Sequence, residues 1–296
     1  MKGWQNLKDK NLIIDGMALL FRHFYATSFR QQFMYSAFDR PTNGVQGVVR
    51  HVFKLVETVQ PTRLIITWDM GSQTIRNDWY PDYKKNRTAP PDELIPQFDH
   101  IKEVFDDLGI FQIGIRGYEA DDIIGTLSTT FDDVVMVSGD RDLLQLLDEE
   151  NELWLTKKGY TEYHHYTKER FILEHGITPR QFIDVKALMG DASDGYKGVK
   201  GVGEKTAFKL IREYGNIDNM LTNLDTLTPA LRKKIEADMA SLRIAHQLAK
   251  IITDVPLDAR EISESSILRL SLQDVDQVLL AHDLSIARKY VGKLGL

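Results

Sequence analysis

Three apolar runs in this chain each end in an aspartate: Leu12-Ile13-Ile14 into Asp15, Leu64-Ile65-Ile66-Thr67-Trp68 into Asp69, and Val134-Val135-Met136-Val137-Ser138-Gly139 into Asp140. Short continuous runs rich in Val and Ile predict buried strands of a parallel sheet. Parallel strands would bring all three acids to one edge, the carboxyl edge, where open α/β sheets place their ligands. Carboxylates gathered there repel one another unless positive charge sits between them. A pair of divalent cations is the natural candidate.

The length of 296 residues allows one large domain, or a large one with a small companion. No apolar run approaches the roughly 20 residues of a membrane span, and Met1-Lys2-Gly3-Trp4-Gln5-Asn6 lacks a signal-peptide core. Cysteine is absent, which excludes disulfides and zinc-thiolate sites and fits a cytoplasmic protein. The net charge of −6 argues against a uniformly basic nucleic-acid binder. It leaves room for local basic patches beside an acidic cluster that metal neutralises.

The first half alternates strand-like and helix-like segments. Helices are predicted over 16–25, 45–59, 94–108, 121–131 and 143–147, with a further strand over 110–115. Residues 71–96 form a long insertion with proline, asparagine and basic residues, expected to be exposed. This alternation predicts a doubly wound α/β fold, a mostly parallel central sheet flanked by helices. From about Thr178 the strand-like runs disappear, and 180–190, 205–214 and 229–252 read as helices joined by glycine-rich turns. The expected division is an α/β core over 1–177, a helical subdomain over 178–256 and a tail over 257–296 packing back on the core.

Acids recur at further turns. Glu119-Ala120-Asp121-Asp122 opens a helix, Asp140-Arg141-Asp142 straddles a strand-to-helix turn, and Asp191 and Asp194 share a polar loop. Any one of Asp15, Asp121 or Asp142 could be a simple N-cap, and Asp122 could merely favour the positive helix end. Nine acids in such positions point together to hard divalent cations, which prefer oxygen ligands. Two such ions roughly 4 Å apart can clamp the attacking and leaving oxygens of a phosphoryl displacement.

Two other stretches suit phosphates. In Arg76-Asn77-Asp78-Trp79-Tyr80-Pro81-Asp82-Tyr83-Lys84-Lys85-Asn86-Arg87, four cations stand beside aromatic rings, a combination that suits backbone phosphates and unstacked bases. The alternative is a solvated charged loop. Gly198 to Ala207 fails as a Walker A loop, because Glu204 separates Gly203 from Lys205 and no strand leads in. What remains is helix, tight Gly-x-Gly hairpin, helix. The free N–H groups of the second helix could then hold a phosphate without reading sequence, with Lys200, Gly201, Gly203, Lys205 and Thr206 as the contact set; a plain interhelical turn is the alternative.

These pieces in this order resemble the bacterial and phage 5′-nuclease family, which includes flap endonucleases and the 5′–3′ exonuclease domain of DNA polymerase I. The matching motifs are Ile14-Asp15-Gly16, Pro41-Thr42-Asn43-Gly44, Trp68-Asp69, Tyr83-Lys84-Lys85-Asn86-Arg87, Tyr118 to Asp122, Ser138 to Leu146, and Gly190-Asp191 through Ala207. They span nearly the whole chain. The resemblance implies a PIN-like nuclease core with a helical arch over about 71–100 and a helix-hairpin-helix subdomain, and a stand-alone nuclease. It implies a two-ion, Mg²⁺-dependent cut of DNA at single-strand/double-strand junctions, with Mn²⁺ able to substitute. Asp15, Asp69, Glu119 and Asp121 would serve the first ion. Asp140, Asp142, Asp191 and Asp194 would serve the second, with Asp121 or Asp140 shared. Lys84 and Arg87 would contact the scissile phosphate, Tyr83 would stack on the terminal base, and Arg76 and Lys85 would join the DNA contacts. Backbone carbonyls of the hairpin would hold a K⁺ ion. One departure is that Gly195-Tyr196-Lys197 stands where the family usually has Asn-Ile-Pro.

The expected function is a monomeric 5′–3′ exonuclease and 5′-flap endonuclease of replication and repair, acting on flaps and RNA-primed ends away from any membrane. The rivals are a processing ribonuclease on a related acidic core and a non-catalytic DNA-binding protein.

Overall fold

The computed structural model describes residues 9–28, 33–37 and 39–296. A six-stranded sheet forms its centre, built from β1 (Asn11–Asp15), β2 (Arg63–Thr67), β3 (Phe111–Ile113), β4 (Val134–Ser138), β5 (Asn151–Lys158) and β6 (Glu162–Tyr166). The spatial order is β3-β2-β1-β4-β5-β6. Every pairing is parallel except β5 with β6. The chain runs outward from β1 through β2 to β3, then returns to the other side of β1 as β4. Crossovers therefore diverge between β1 and β4, which makes a topological switch point at the carboxyl edge.

The Val/Ile runs are buried on both faces, as parallel strands require. Leu12, Ile14, Leu64, Ile66, Val135 and Val137 face one layer, formed by α1 (Gly16–Ser28), α2 (Asn43–Val59), α4 (Ile95–Asp107) and the C-terminal helices. The short α3 (Ile75–Trp79) lies in the insertion. Ile13, Ile65 and Met136 face the opposite layer, which holds α5 (Ala120–Ser128), a 3-10 turn over Arg141–Leu146, α6 (Lys168–His175) and the helical half of the chain. That half comprises α7 (Phe182–Met189), the ribbon β7 (Gly190–Asp191) and β8 (Tyr196–Lys197), α8 (Glu204–Tyr214), α9 (Ile217–Thr222), α10 (Pro229–Ala237) and α11 (Met239–Ala249). Its Val185, Leu188, Phe208, Ile211 and Leu242 belong to the same apolar cluster as the sheet.

The tail forms α12 (Ala259–Ser265), α13 (Leu272–Ala281) and α14 (Ser285–Val291) and lies against the body. The Ala287 N–H donates to Gln46 Oε1 at 2.7 Å, and the Leu268 N–H to the Thr62 carbonyl at 2.9 Å. Among the described residues no helix is long and apolar enough to cross a membrane.

Three expectations need correction. The helix expected over 229–252 is two helices broken at Asp238, where the backbone leaves the helical region (φ −106°, ψ 17°); the Asp238 carboxylate accepts the Lys200 N–H at 2.7 Å. The β5–β6 hairpin and α6 were not anticipated. The insertion after Asp69 is not a solvated loop throughout. Thr74 and Asn77 form a reciprocal cap for α3, and the chain then folds back in turns that bury Tyr83. Within 71–100, helix is confined to α3 and the start of α4.

Candidate active site

Each strand-end acid is fixed by local chemistry. Asp15 closes β1 as α1 begins, so its Oδ1 accepts the Ala18 N–H at 2.9 Å in the manner of an N-cap. Its Oδ2 accepts the Ser138 hydroxyl at 2.8 Å, from the neighbouring strand β4. The abrupt strand-to-helix transition needs Gly16: a Cβ there would lie 2.7 Å from both Ile66 and Trp68. Asp69 accepts the Ala120 N–H at 2.8 Å, tying the end of β2 to the start of α5. Asp140 caps the 3-10 turn after β4, its Oδ1 taking the Asp142 N–H at 2.8 Å.

The structure brings Asp15, Asp69, Glu119, Asp121 and Asp140 together around one cavity of about 310 Å³, with Lys84 and Arg87 on its wall. Asp142, Asp191 and Asp194 stand alongside. Burial, with the charges of Asp69 and Asp140, pushes the Asp15 carboxyl up to about 7. Burial and the Asp140 charge push Asp142 to about 7 as well, against the pull of Lys186. Asp121 is raised well above the ordinary carboxylate range by burial and by Asp140 and Asp15. Asp140 thus bears on both groups of acids.

Among the described residues no three of these side chains converge as a finished metal cage. The chain's own cations hold several of them. Lys84 Nζ lies 2.7 Å from Glu119 Oε1, and Arg87 Nη2 lies 2.8 Å from Asp194 Oδ1. Lys186 Nζ sits between Asp142 Oδ1 at 2.7 Å and Asp191 Oδ2 at 2.5 Å. Asp142 Oδ1 is buried, and the Lys186 ammonium 2.7 Å away is its partner. An all-carboxylate oxygen set, in which burial and neighbouring charge raise Asp15, Asp121 and Asp142, matches the donor chemistry of hard divalent cations.

Other residues fall differently from expectation. Arg76, expected on DNA, is 2% exposed. Its guanidinium forks onto Asp122 with two 2.7 Å hydrogen bonds and donates to the Leu248 and Lys250 carbonyls. Asp122 in turn accepts the Ile252 and Glu119 N–H groups. Arg76 and Asp122 are therefore a buried strut joining α3, α5 and the end of α11. Tyr83, expected to stack on a base, is also buried. Its hydroxyl donates to Asp194 at 3.0 Å and lies 3.2 Å from Glu119, so it orients acids rather than offering a face. Lys85 is exposed and pairs with Asp82.

Lys84 carries a left-handed backbone, φ +57°, and its N–H donates to the Asp194 carbonyl at 2.8 Å. A lysine in that conformation costs roughly 1–2 kcal/mol, and the surrounding contacts hold it there. At the hairpin, Gly201 has φ +77° and Gly203 caps α8. Lys200, Gly201, Gly203 and Lys205 are exposed and Thr206 half-buried, all at the open end of α8. Lys186 was missed. Its signal was a lone ammonium in the mostly apolar run Phe182–Met189, five residues before Asp191.

Comparison with known proteins gives a consistent result. The family model for the 5′–3′ exonuclease N-terminal resolvase-like domain matches residues 10–176, and that for the 5′–3′ exonuclease C-terminal SAM fold matches residues 177–273. A 5′–3′ exonuclease of Bacillus subtilis is 48% identical over 289 residues, covering 97% of both chains. DNA polymerase I of Lactococcus lactis is 39% identical over 268 residues, covering 85% of this chain and 30% of the polymerase. Among solved structures, T5 5′-exonuclease with bound zinc superposes with a TM-score of 0.67 at 24% identity, covering 94% of this chain and 100% of that one. The bacteriophage T5 flap endonuclease in complex with DNA and metal ions gives 0.66 at 23% identity, covering 96% and 100%. On two adjoining family models and a relative matched along nearly its whole length, the chain belongs to the 5′–3′ exonuclease family.

Proposed function

We propose that this nuclease hydrolyses DNA phosphodiester bonds at the 5′ side of single-strand/double-strand junctions, removing flaps and RNA-primed ends with two Mg²⁺ ions. The observation that carries this reading is the single cavity in which five acids from three strand ends and the start of α5 meet Lys84 and Arg87. Asp15, Asp69, Glu119 and Asp121 would hold the first ion. Asp140, Asp142, Asp191 and Asp194 would hold the second, and Asp140, which bears on both groups, is the member best placed to be shared. When bound, such a pair supplies Lewis acidity to the attacking water and the departing oxygen. Mn²⁺ satisfies the same donor set. A K⁺ ion on the hairpin carbonyls, a monomeric state and a cytoplasmic setting complete the reading.

The chain's own groups do the positioning. Lys84 Nζ, held against Glu119 at the cavity wall, is within the site to receive a non-bridging phosphate oxygen. Arg87 is half-exposed and offers a planar fork to the same phosphate. The free N–H groups at the start of α8, with Lys205, grip the duplex backbone.

The test is cleavage of a labelled 5′-flap duplex with product mapping, with and without Mg²⁺. Junction-proximal products that require the ion support the reading. Preferential cutting of single-stranded RNA, or binding without cutting, would overturn it. Lys84→Ala should lower the single-turnover rate about 100-fold while flap affinity changes by less than about threefold. A loss of affinity alone would contradict a role in the transition state. Lys205→Ala should weaken duplex binding alike for unrelated sequences and make the log–log salt slope shallower by about one. A defect confined to certain sequences would rule out a backbone grip.

A further inference from the structure

Lys186 lies between two of the acids assigned above to the second cation. Its side chain is 9% exposed and its ammonium sits between Asp142 and Asp191, at 2.7 and 2.5 Å. Asp191 has one oxygen already committed. Oδ1 takes the Ser193 N–H at 2.7 Å, the Ser193 hydroxyl at 2.6 Å and the Asp194 N–H at 3.2 Å. Its other oxygen, Oδ2, is the one that Lys186 holds. Asp142 Oδ1 is buried and has the same ammonium as its charge partner. A divalent ion drawing on Asp142 and Asp191 through these oxygens must therefore take them from Lys186. The first group of acids is less occupied: Lys84 holds Glu119, but no hydrogen bond or ion pair to a lysine or arginine is formed by Asp15, Asp69 or Asp121 among the contacts described above.

We propose that Lys186 is a resident counter-ion of the second cation position, so that the two ions bind in order and the second enters only as the Lys186 ammonium swings out. This rests on the two-ion reading above. A compact ammonium on a flexible four-carbon stem suits that exchange. It neutralises the acid pair when no ion is present, and once released it is free to meet substrate phosphate. The site therefore avoids a bare buried pair of like charges in the resting enzyme.

The experiment counts Mn²⁺ binding to the full chain without DNA by electron paramagnetic resonance, in wild type and in Lys186→Met. Wild type should bind one ion at least about tenfold more tightly than the next, and Lys186→Met should tighten the second step by at least about tenfold. Dissociation constants unchanged within about twofold would overturn the proposal. A second measurement uses only wild type, so a folding defect in the variant cannot obscure the outcome. Lys186 should resist acylation by acetic anhydride in metal-free enzyme and become labelled as the second Mn²⁺ binds, read by peptide mass spectrometry. Two bound ions with Lys186 still protected would overturn the proposal while leaving the two-ion reading intact. No bound Mn²⁺ in either protein would remove both.

Discussion

Asp140→Asn should reduce Mg²⁺-dependent flap cleavage by at least about 10³-fold, while leaving the protein as stable as wild type or more so. Asp140 lies at the switch between β1 and β4, and its charge bears on Asp15, Asp121 and Asp142 at once. If Asp140 serves both ions as proposed, its loss removes several kcal/mol of transition-state stabilisation. The same substitution relieves crowding among like charges, and asparagine keeps the cap on the Asp142 N–H. Activity and stability should therefore move in opposite directions, as expected where a site is built at the expense of the fold. Single-turnover cleavage and thermal melting in metal-free buffer check both halves. An asparagine variant within tenfold of wild-type rate would show that Asp140 does not serve the ions.

Arg76→Met should cost about 3–5 kcal/mol of stability, because it leaves Asp122 charged and unpaired in a dry environment. Both side chains are almost fully buried, at 2% and 0% exposure, so solvent offers little relief. The loss should lower the melting temperature by roughly 10 °C for a chain of this size. A variant that also carries Asp122→Leu should recover part of the loss, since removing both partners leaves no orphan charge. The distinguishing result is the double variant: if it is less stable than Arg76→Met alone, the ion pair is not what holds these elements together. Cleavage should fall with stability, because the strut also tethers the Glu119 N–H through Asp122.

The legible parts of this molecule were those in which local pattern and burial agree. Continuous Val/Ile runs ending in Asp15, Asp69 and Asp140 specified parallel strands, and parallel strands dictate a shared edge. The misread parts were charges that go inside. Arg76 and Tyr83 lie in a basic aromatic run whose ordinary location is the surface, and Asp122 looked like a helix-end charge; only tertiary contact shows that Arg76 and Asp122 neutralise each other. Lys186 was missed for the same reason: a lone lysine in a mostly apolar helix hints at a buried charge but does not name the two acids it will meet. The β5–β6 hairpin was missed because Asn151–Lys158 is half-exposed and Glu162–Tyr166 carries two histidines, so neither shows the unbroken apolar run of the central strands.

The apolar cluster that joins Ile13, Ile65 and Met136 of the sheet to Phe208, Ile211 and Leu242 of the helical half has a mechanical consequence. With one interior, the glycine hairpin and the acid edge form a rigid gauge, in which, on the proposed function, the first would clasp the double helix and the second would sever the strand. The distance between clasp and blade is then set by the protein and not by the length of the protruding strand, so flaps of different lengths should all be trimmed at one position relative to the duplex.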